Sequence, residues 1–329
     1  MTTDLVYNVV LVANEEYVQH AGVMLTSLFS KNKEHHFRVF FLTDGISHVS
    51  QQRLEVLCSS FNNQLSIYEP EKNLVSNGQR IDIKSLNAGR WNSMIFYKLF
   101  IPSILPQDVD RCLFLDVDMV INNDITELYN INLCMNVIGG VEDSYIFENK
   151  SNLGLDPQNN CYINSGVMVC DIKKWRELEK ESPIFDFTLS IRDIIQNEQD
   201  VLALYFKGAI KYLPFKWNVV GWYYLRDPFF QKQPIPEILE ARSCPSIIHY
   251  CLCVQPWFSD SDSPHAYAYI HYLKKYASVV GFKPNLNFPR KNAVSVSTWI
   301  RTHVYNLLND LNIRKDLMHI VSVKKINLQ

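Results

Sequence analysis

Asp116 and Asp118 stand one residue apart, directly after the apolar run Leu113, Phe114, Leu115, in the stretch LFLDVDMVINND (113–124). A short apolar run of this kind fits a strand covered on both faces. Past the carboxyl end of a strand the pleat breaks down, so both carboxylates can turn toward one point. Carboxylates that meet repel each other unless a cation lies between them. Hard oxygen ligands suit Mg²⁺ or Mn²⁺, and the anion most often bridged to protein by such an ion is a diphosphate. A D-x-D met by chance in a surface turn is the competing reading; the hydrophobic lead-in argues against it.

The elements that position these carboxylates alternate. LVYNVVLVA (5–13) reads as a strand and runs into polar Asn14, Glu15 and Glu16, then Tyr17. Ala21, Met24, Leu25 and Leu28 follow at helical spacing. FRVFFLTDG (37–45) is a second strand, Ser47 opens a second helix with Val49, Leu54, Leu57 and Phe61 as its apolar positions, and LSIY (65–68) is a third strand. This βαβ alternation predicts a mainly parallel sheet with helices on its faces. Ligands of such open sheets bind beyond the carboxyl ends of the strands, which places residues 14–17 and the D-x-D in one crevice.

Further along, residues 72–92 are polar and read as a loop, 93–106 as a helix closed by prolines, and 136–143 as a strand ending in Glu142 and Asp143. The stretch up to Gln158 is turn-rich and reads as a flap on the acceptor side. Residues 161–175 read as a strand interrupted by Asn164, Ser165 and Gly166, where a glycine marks a bulge or a close backbone approach to a ligand. NEQDVLALYFKG (197–208) reads as an amphipathic helix with a polar first turn and a closing Gly208, and 246–257 as a buried strand carrying His249 before a Pro-Trp turn.

The chain has 329 residues, 47% hydrophobic and 20% charged, with a net charge of −2. These values suit a large α/β domain and give no overall pull toward nucleic acid. Eight scattered cysteines, several inside apolar runs, read as reduced buried thiols. No apolar segment reaches the ~20 residues a spanning helix needs, and the start lacks a signal-peptide pattern, so the expected location is the cytoplasm. From Lys283 onward eight Lys/Arg face only Asp310 and Asp316, a local balance of +6. That basic, aromatic segment is either a peripheral contact to the cytoplasmic face of a membrane or a solvated helical appendage. The expected division is a domain over 1–263 and a helical, basic extension over 264–329.

Taken together, VANEEY (12–17), FYKLFIP (96–102), FLDVDMV (114–120), YINSGVMV (162–169), NEQDVL (197–202) and HYCLCVQPW (249–257) resemble glycosyltransferase family 8 in order and approximate spacing. The likeness is greatest to the bacterial lipopolysaccharide glucosyl- and galactosyltransferases. It implies an α/β fold of GT-A type, a Rossmann-like nucleotide-binding domain with a mixed, mainly parallel sheet, followed by the C-terminal helical extension. It implies retaining transfer of glucose or galactose from a UDP-sugar to a hydroxyl of a glycan or glycolipid acceptor, such as lipopolysaccharide core or another glycoconjugate, with Mn²⁺ or Mg²⁺.

By the same resemblance Asp116, Asp118 and His249 ligate the metal. The imidazole must be neutral to do so, and binding then weakens as pH falls through its titration. Tyr17 stacks on uracil; Val12, Ala13 and Asn14 contact the uridine; Asn164, Ser165 and Gly166 lie along the donor sugar and the metal. Glu198 binds sugar hydroxyls, Gln199 lies near the anomeric carbon opposite the diphosphate, and Asp143 binds the acceptor or shapes the sugar pocket. Glutamine is too weak a nucleophile for a covalent intermediate, so front-face attack by the acceptor hydroxyl is implied. A helix N-terminus that favours acidic residues is the competing account of Glu198 and Asp200, and helix-start packing that of Tyr17.

Three positions depart from the family pattern. Leu252 replaces a glycine that lets backbone approach the diphosphate, and Gln255 replaces a lysine that cancels its charge. Loss of that charged contact costs about 1.5–3 kcal/mol. Lys98 stands where some members place an arginine on the donor sugar, keeping the charge but not the fork. Three alternatives stay open. The first is a non-catalytic or weakened relative that binds nucleotide or a partner protein. The second is a haloacid-dehalogenase-type phosphatase, whose D-x-D would be expected at the start of the fold. The third is a zinc site of His249, Cys251 and Cys253, which lacks a fourth ligand at a recognisable spacing.

Overall fold

The computed structural model of the chain describes residues 6–72, 74–76, 79–86, 92–143, 151–156, 161–224, 235–251, 255–258, 261 and 263–284. Leu252, Cys253, much of the expected flap, part of the 72–92 loop and the basic segment from 285 lie outside the described residues. Two compact units are present. One is made of Met1–Val18, Lys33–Val117 and Ile125–Pro214; the other of Gln19–Asn32, Asp118–Asp124 and Phe215–Gln329.

The strands, in chain order, are β1 (Val6–Val12), β2 (His36–Leu42), β3 (Gln64–Tyr68), β4 (Val75–Ser76), β5 (Gln79–Arg80), β6 (Arg111–Leu115), β7 (Met119–Ile121), β8 (Ile138–Glu142), β9 (Ile163–Asp171), β10 (Ile210–Tyr212) and β11 (Ile247–His249). In the first unit seven of them form one sheet in the order β10-β8-β9-β6-β1-β2-β3. β1 runs parallel to β2 and β6, β2 to β3, and β8 to β10, while β9 runs antiparallel to β6 and β8. The reversal brings the start of β9 to the edge where its neighbours end. The apolar runs are the buried ones: Val9, Val10 and Leu11 of β1, Phe41 and Leu42 of β2, and Leu113, Phe114 and Leu115 of β6 are fully covered. A strand buried on both faces reads this way rather than alternating.

Several expected elements change form. Residues 93–106 divide into a 3-10 helix, Ser93–Phe100, capped by Asn92, and a short α-helix, Ile101–Ile104, whose first turn holds Pro102. Proline fits a first helical turn because it lacks the donor that turn leaves unpaired. The strand expected over 161–175 stops at Asp171, whose side chain accepts from Lys174 N and caps the helix Ile172–Glu181. The interruption expected at Asn164, Ser165 and Gly166 leaves β9 continuous but breaks its pairing with β8. Gly140 faces Met168, and the next residue, Val141, faces Asn164. Val49, an expected apolar position of the second helix, is 55% exposed, whereas Leu54 and Leu57 are covered. The buried strand expected over 246–257 is short, since β11 ends at His249.

Arg176 anchors the segment that leads into β6. Its guanidinium donates to the carbonyls of Pro102, Leu105, Pro106, Gln107 and Val109 at 2.9–3.5 Å. In the second unit β7 pairs antiparallel with β11, and Ser27 of the helix Val18–Lys31 accepts from Ile121 N at 2.8 Å. That helix packs on the helix Ala266–Val280 at Gly22, where an added Cβ would stand 2.3 Å from the Tyr276 ring.

The helix Ile172–Glu181 also carries a pH-sensitive group. Burial pushes the Glu179 carboxyl up to about 7, only partly offset by donation from Ile184 N at 3.3 Å. Between pH 4.5 and 7 the folded protein holds a proton that the unfolded chain has released, so stability falls as pH rises through that window, by about 3 kcal/mol in total. Burial depresses His20 and His265 to about 4, and these act in the opposite sense, removing stability as pH falls from 6.5 toward 4. The contribution of Glu179 is therefore read as a difference. Denaturant unfolding of wild type and Glu179→Gln is expected to diverge in slope between pH 4.5 and 7. Parallel curves would refute it.

Candidate active site

The carboxyl edge of the large sheet gathers the chemistry-bearing residues of the first unit. Lys98, on the 3-10 helix Ser93–Phe100, is 4% exposed. Its Nζ lies 3.0 Å from Asp116 Oδ1, 2.9 Å from Glu198 Oε1 and 3.1 Å from Ser165 Oγ, and 4.8 Å from the centre of the Phe114 ring. Burial works against its charge, but Asp116 and then Glu198 more than offset it and raise the ammonium above its ordinary range. Ser165 Oγ donates to the same Glu198 oxygen at 2.8 Å. One cation and one hydroxyl thus hold a carboxylate from the end of β6 and another from the start of the helix Glu198–Tyr205.

That helix start is built by Asn197, whose side chain accepts from Asp200 N. Beside Glu198, Gln199 Oε1 accepts from Ser165 N at 3.1 Å. Asp143, 2% exposed, accepts from Asn164 Nδ2 at 3.2 Å, and Gly166 N donates to Asn164 Oδ1 at 3.1 Å. Asp116 N donates to Gly166 O at 2.8 Å, joining the D-x-D to the stretch of β9 where the pairing with β8 shifts.

At the end of β1, Ala13 N donates to Leu42 O, and Asn14 Oδ1 accepts from Tyr17 N at 3.3 Å to close the turn Glu15–Tyr17. The Tyr17 side chain is 40% exposed. Glu15 Oε2 accepts from Ser47 N, and Oε1 from Ser47 Oγ and Ser50 Oγ, all at 2.7–2.9 Å. Some burial opposes its charge, yet these donors hold the carboxyl below its usual range. Sequence reasoning gave Glu15 no role. It ties the turn after β1 to the start of the next helix.

In the second unit, Tyr250 N donates to Asp118 O at 2.9 Å, and His249 Nε2 lies 3.2 Å from Asp118 Oδ1. His249 Nδ1 is 2.9 Å from Oδ1 of Asn218, which is fully buried. With that oxygen as acceptor, Nδ1 carries the proton and Nε2 presents a lone pair on the carboxylate's side. Burial opposes the charge of Asp118, but when Nε2 is also protonated the His249 imidazolium holds that carboxyl below the usual carboxylate range. His20 stacks on Trp257 with ring centres 3.8 Å apart, and its Nδ1 is 2.6 Å from Tyr269 OH. Gln255 is partly buried. Asn218 and His20 went unnoticed in the sequence because each lies far along the chain from the residue it braces.

A family model described as glycosyl transferase family 8 matches residues 8–261. The chain belongs to glycosyl transferase family 8. It is 23% identical over 285 residues to general stress protein A of Bacillus subtilis strain 168, covering 83% of this chain and 95% of that one. It is 24% identical over 259 residues to a lipopolysaccharide 1,2-glucosyltransferase of Escherichia coli K12, covering 76% and 72%. Among solved structures, the galactosyltransferase LgtC in complex with donor and acceptor sugar analogs matches with a TM-score of 0.65 at 21% identity, covering 84% of this chain and 98% of that one. The glycosyltransferase GlyE of Streptococcus pneumoniae TIGR4 matches at 0.61 and 19%, covering 83% and 62%. The fold is that of the GT-A glycosyltransferases, an α/β architecture around a mixed, mostly parallel sheet. No helix among the described residues is long and apolar enough to cross a membrane.

Proposed function

We propose that this family 8 glycosyltransferase moves a hexose, glucose or galactose, from a UDP-sugar to a hydroxyl of a glycan or glycolipid, retaining the anomeric configuration and using Mn²⁺ or Mg²⁺. The observation that carries this reading is the convergence of Asp116, Lys98, Glu198, Ser165 and Gln199 at the sheet's carboxyl edge. A phosphatase of the dehalogenase type would leave Glu198, Gln199 and the broken pairing of β9 without a use.

The residues fit a divalent cation. Asp116 and Asp118 offer hard oxygen donors, and Asn218 turns the His249 lone pair toward Asp118, an oxygen and nitrogen set suited to Mn²⁺. A cation bound to Asp116, Asp118 and His249 supplies neutralisation of the diphosphate charge. The chain's own residues do the rest. Tyr17 offers its exposed ring to the uracil; Val12, Ala13 and Asn14 line the uridine. Lys98 holds Glu198 in place, aimed at sugar hydroxyls, and Asn164, Ser165 and Gly166 set the strand along which the sugar lies. Gln199 presents an amide near the anomeric carbon, and Asp143 shapes the acceptor side. The acceptor hydroxyl approaches from the face that the diphosphate leaves, passing its proton to that diphosphate. Leu252 and Gln255 stand where the family pattern has a glycine and a lysine, so either donor affinity depends mainly on the uridine and cation contacts or the enzyme is a weakened one. The excess of Lys and Arg from 283 onward suits a membrane-borne acceptor at the cytoplasmic face.

The test is UDP release from a panel of UDP-sugars with Mn²⁺ and with EDTA. UDP-glucose or UDP-galactose is expected to turn over only with the cation. Mn²⁺-dependent UDP binding without turnover of any donor would favour the binding-only alternative.

A further inference from the structure

Gln199 is held at both ends of its amide, and one end leads to a buried chain of groups that the reading above does not use. Tyr162, the residue before β9, is fully buried, and its hydroxyl donates to Asp200 Oδ1 at 2.7 Å. Asp200 is also fully buried; its Oδ2 accepts from Gln196 N at 2.7 Å, and its own N–H donates to Asn197 Oδ1 at 3.3 Å. Burial and the neighbouring Asp200 raise the Tyr162 phenol above its ordinary range, so the hydroxyl keeps its proton. Having given that proton to Asp200, the oxygen can only accept from other groups. Gln199 Nε2 lies 3.5 Å from it and 3.5 Å from Asp143 Oδ2, both at the long end of hydrogen bonding. On the other side, Gln199 Oε1 accepts from Ser165 N. Rotating the amide by half a turn would set NH₂ against a backbone N–H, and a carbonyl oxygen against a carboxylate and a phenol lone pair. All three contacts would become unfavourable.

We propose that Tyr162, oriented by Asp200, is the positioning residue that fixes which way the Gln199 amide faces. The inference rests on the reading that places Gln199 at the reacting carbon. Sugar transfer passes through a centre with developing positive charge. In the fixed orientation Gln199 keeps its carbonyl oxygen beside Ser165 with a lone pair to spare, the sign of dipole such a centre needs. The opposite orientation would present N–H hydrogens there. Preorganised dipoles of this kind contribute because they need no rearrangement during the reaction.

Tyr162→Phe removes the hydroxyl alone. With UDP-glucose and UDP-galactose as donors and Mn²⁺ present, kcat for UDP release is expected to fall about 10- to 100-fold, with donor KM changed less than about threefold. Because the change also deprives Asp200 of a donor and lowers Tm, a double-mutant cycle with Gln199→Ala separates positioning from stability. In the Gln199→Ala background Tyr162→Phe is expected to cost no further kcat. An equal loss in both backgrounds, or no loss in wild type, overturns the proposal. Wild-type kcat in Gln199→Ala alone would instead overturn the placement of Gln199 at the reacting carbon. Should Tyr162→Phe not fold, Asp200→Asn enters the same cycle with the same expected coupling. A crystal structure of Tyr162→Phe gives a readout that needs no turnover. Gln199 Oε1 is expected to leave Ser165 N, and an unmoved amide overturns the proposal.

Discussion

Mn²⁺-dependent release of UDP from a UDP-sugar is expected to fall by about three powers of ten or more when Asp118 is replaced by alanine. A cation that stabilises several kcal/mol of developing charge carries that much rate, since each ~1.36 kcal/mol is tenfold. Asp118 is the proposed ligand whose surroundings suit the task. Its carbonyl is tied to Tyr250 N, and the His249 Nε2 lies 3.2 Å from its carboxylate. A comparison variant makes the result interpretable. Asn218→Ala leaves every proposed ligand in place but releases the imidazole it orients. Its expected effect is an apparent Mn²⁺ affinity about 10- to 100-fold weaker, with activity recovered by raising the Mn²⁺ concentration. Asp118→Ala is expected to show no such recovery. Substantial Mn²⁺-dependent turnover by Asp118→Ala would sink the metal assignment while leaving family membership untouched.

What the sequence disclosed of this site was its local grammar. An apolar strand followed at once by Asp116, a glycine within a strand at Gly166, and an acidic first turn at Glu198 are each readable within a dozen residues, because the strand-to-loop junction itself creates the site. The same local reasoning does not reach several contacts that close over a long span. Asn218 braces His249 across 31 residues, and Glu15 reaches Ser47 across 32. The carbonyls of Leu105 and Pro106 lie 71 and 70 residues upstream of the Arg176 that holds them. No periodicity announces such pairs. Secondary structure misread where one signal served two ends. Asp171 closes β9 and also caps the helix that follows, so apolar Ile172 and Trp175, which seem to prolong the strand, belong to the helix. The chain leaves the first unit between Val117 and Asp118, inside the very motif that looked most local.

Lys98→Met is expected to damage both fold and chemistry, and a second substitution separates the two. The ammonium sits 2.9 Å from Glu198, which is 6% exposed, and 3.0 Å from Asp116, so its loss leaves a buried carboxylate facing an apolar side chain. Breaking a buried pair from one side costs about 3–5 kcal/mol, whereas removing both charges together is often nearly neutral. Lys98→Met should therefore lower unfolding free energy by about that amount, and Lys98→Met with Glu198→Gln should restore most of it. In the double variant Ser165 Oγ can still donate to the side-chain carbonyl that Glu198→Gln retains, since its present bond to Glu198 Oε1 asks only for an acceptor. Turnover should not return with stability, because a neutral amide aimed at the sugar hydroxyls offers a weaker acceptor than a carboxylate held by a cation. If the double variant regained both, the Lys98 and Glu198 pair would be a folding device and the sugar would be held elsewhere. If it regained neither, the packing around Phe114, whose ring faces the ammonium at 4.8 Å, would be what Lys98 supports. Stability recovered with UDP release still reduced by about two powers of ten or more is the expected outcome, and it would place Glu198 on the donor sugar rather than in the scaffold.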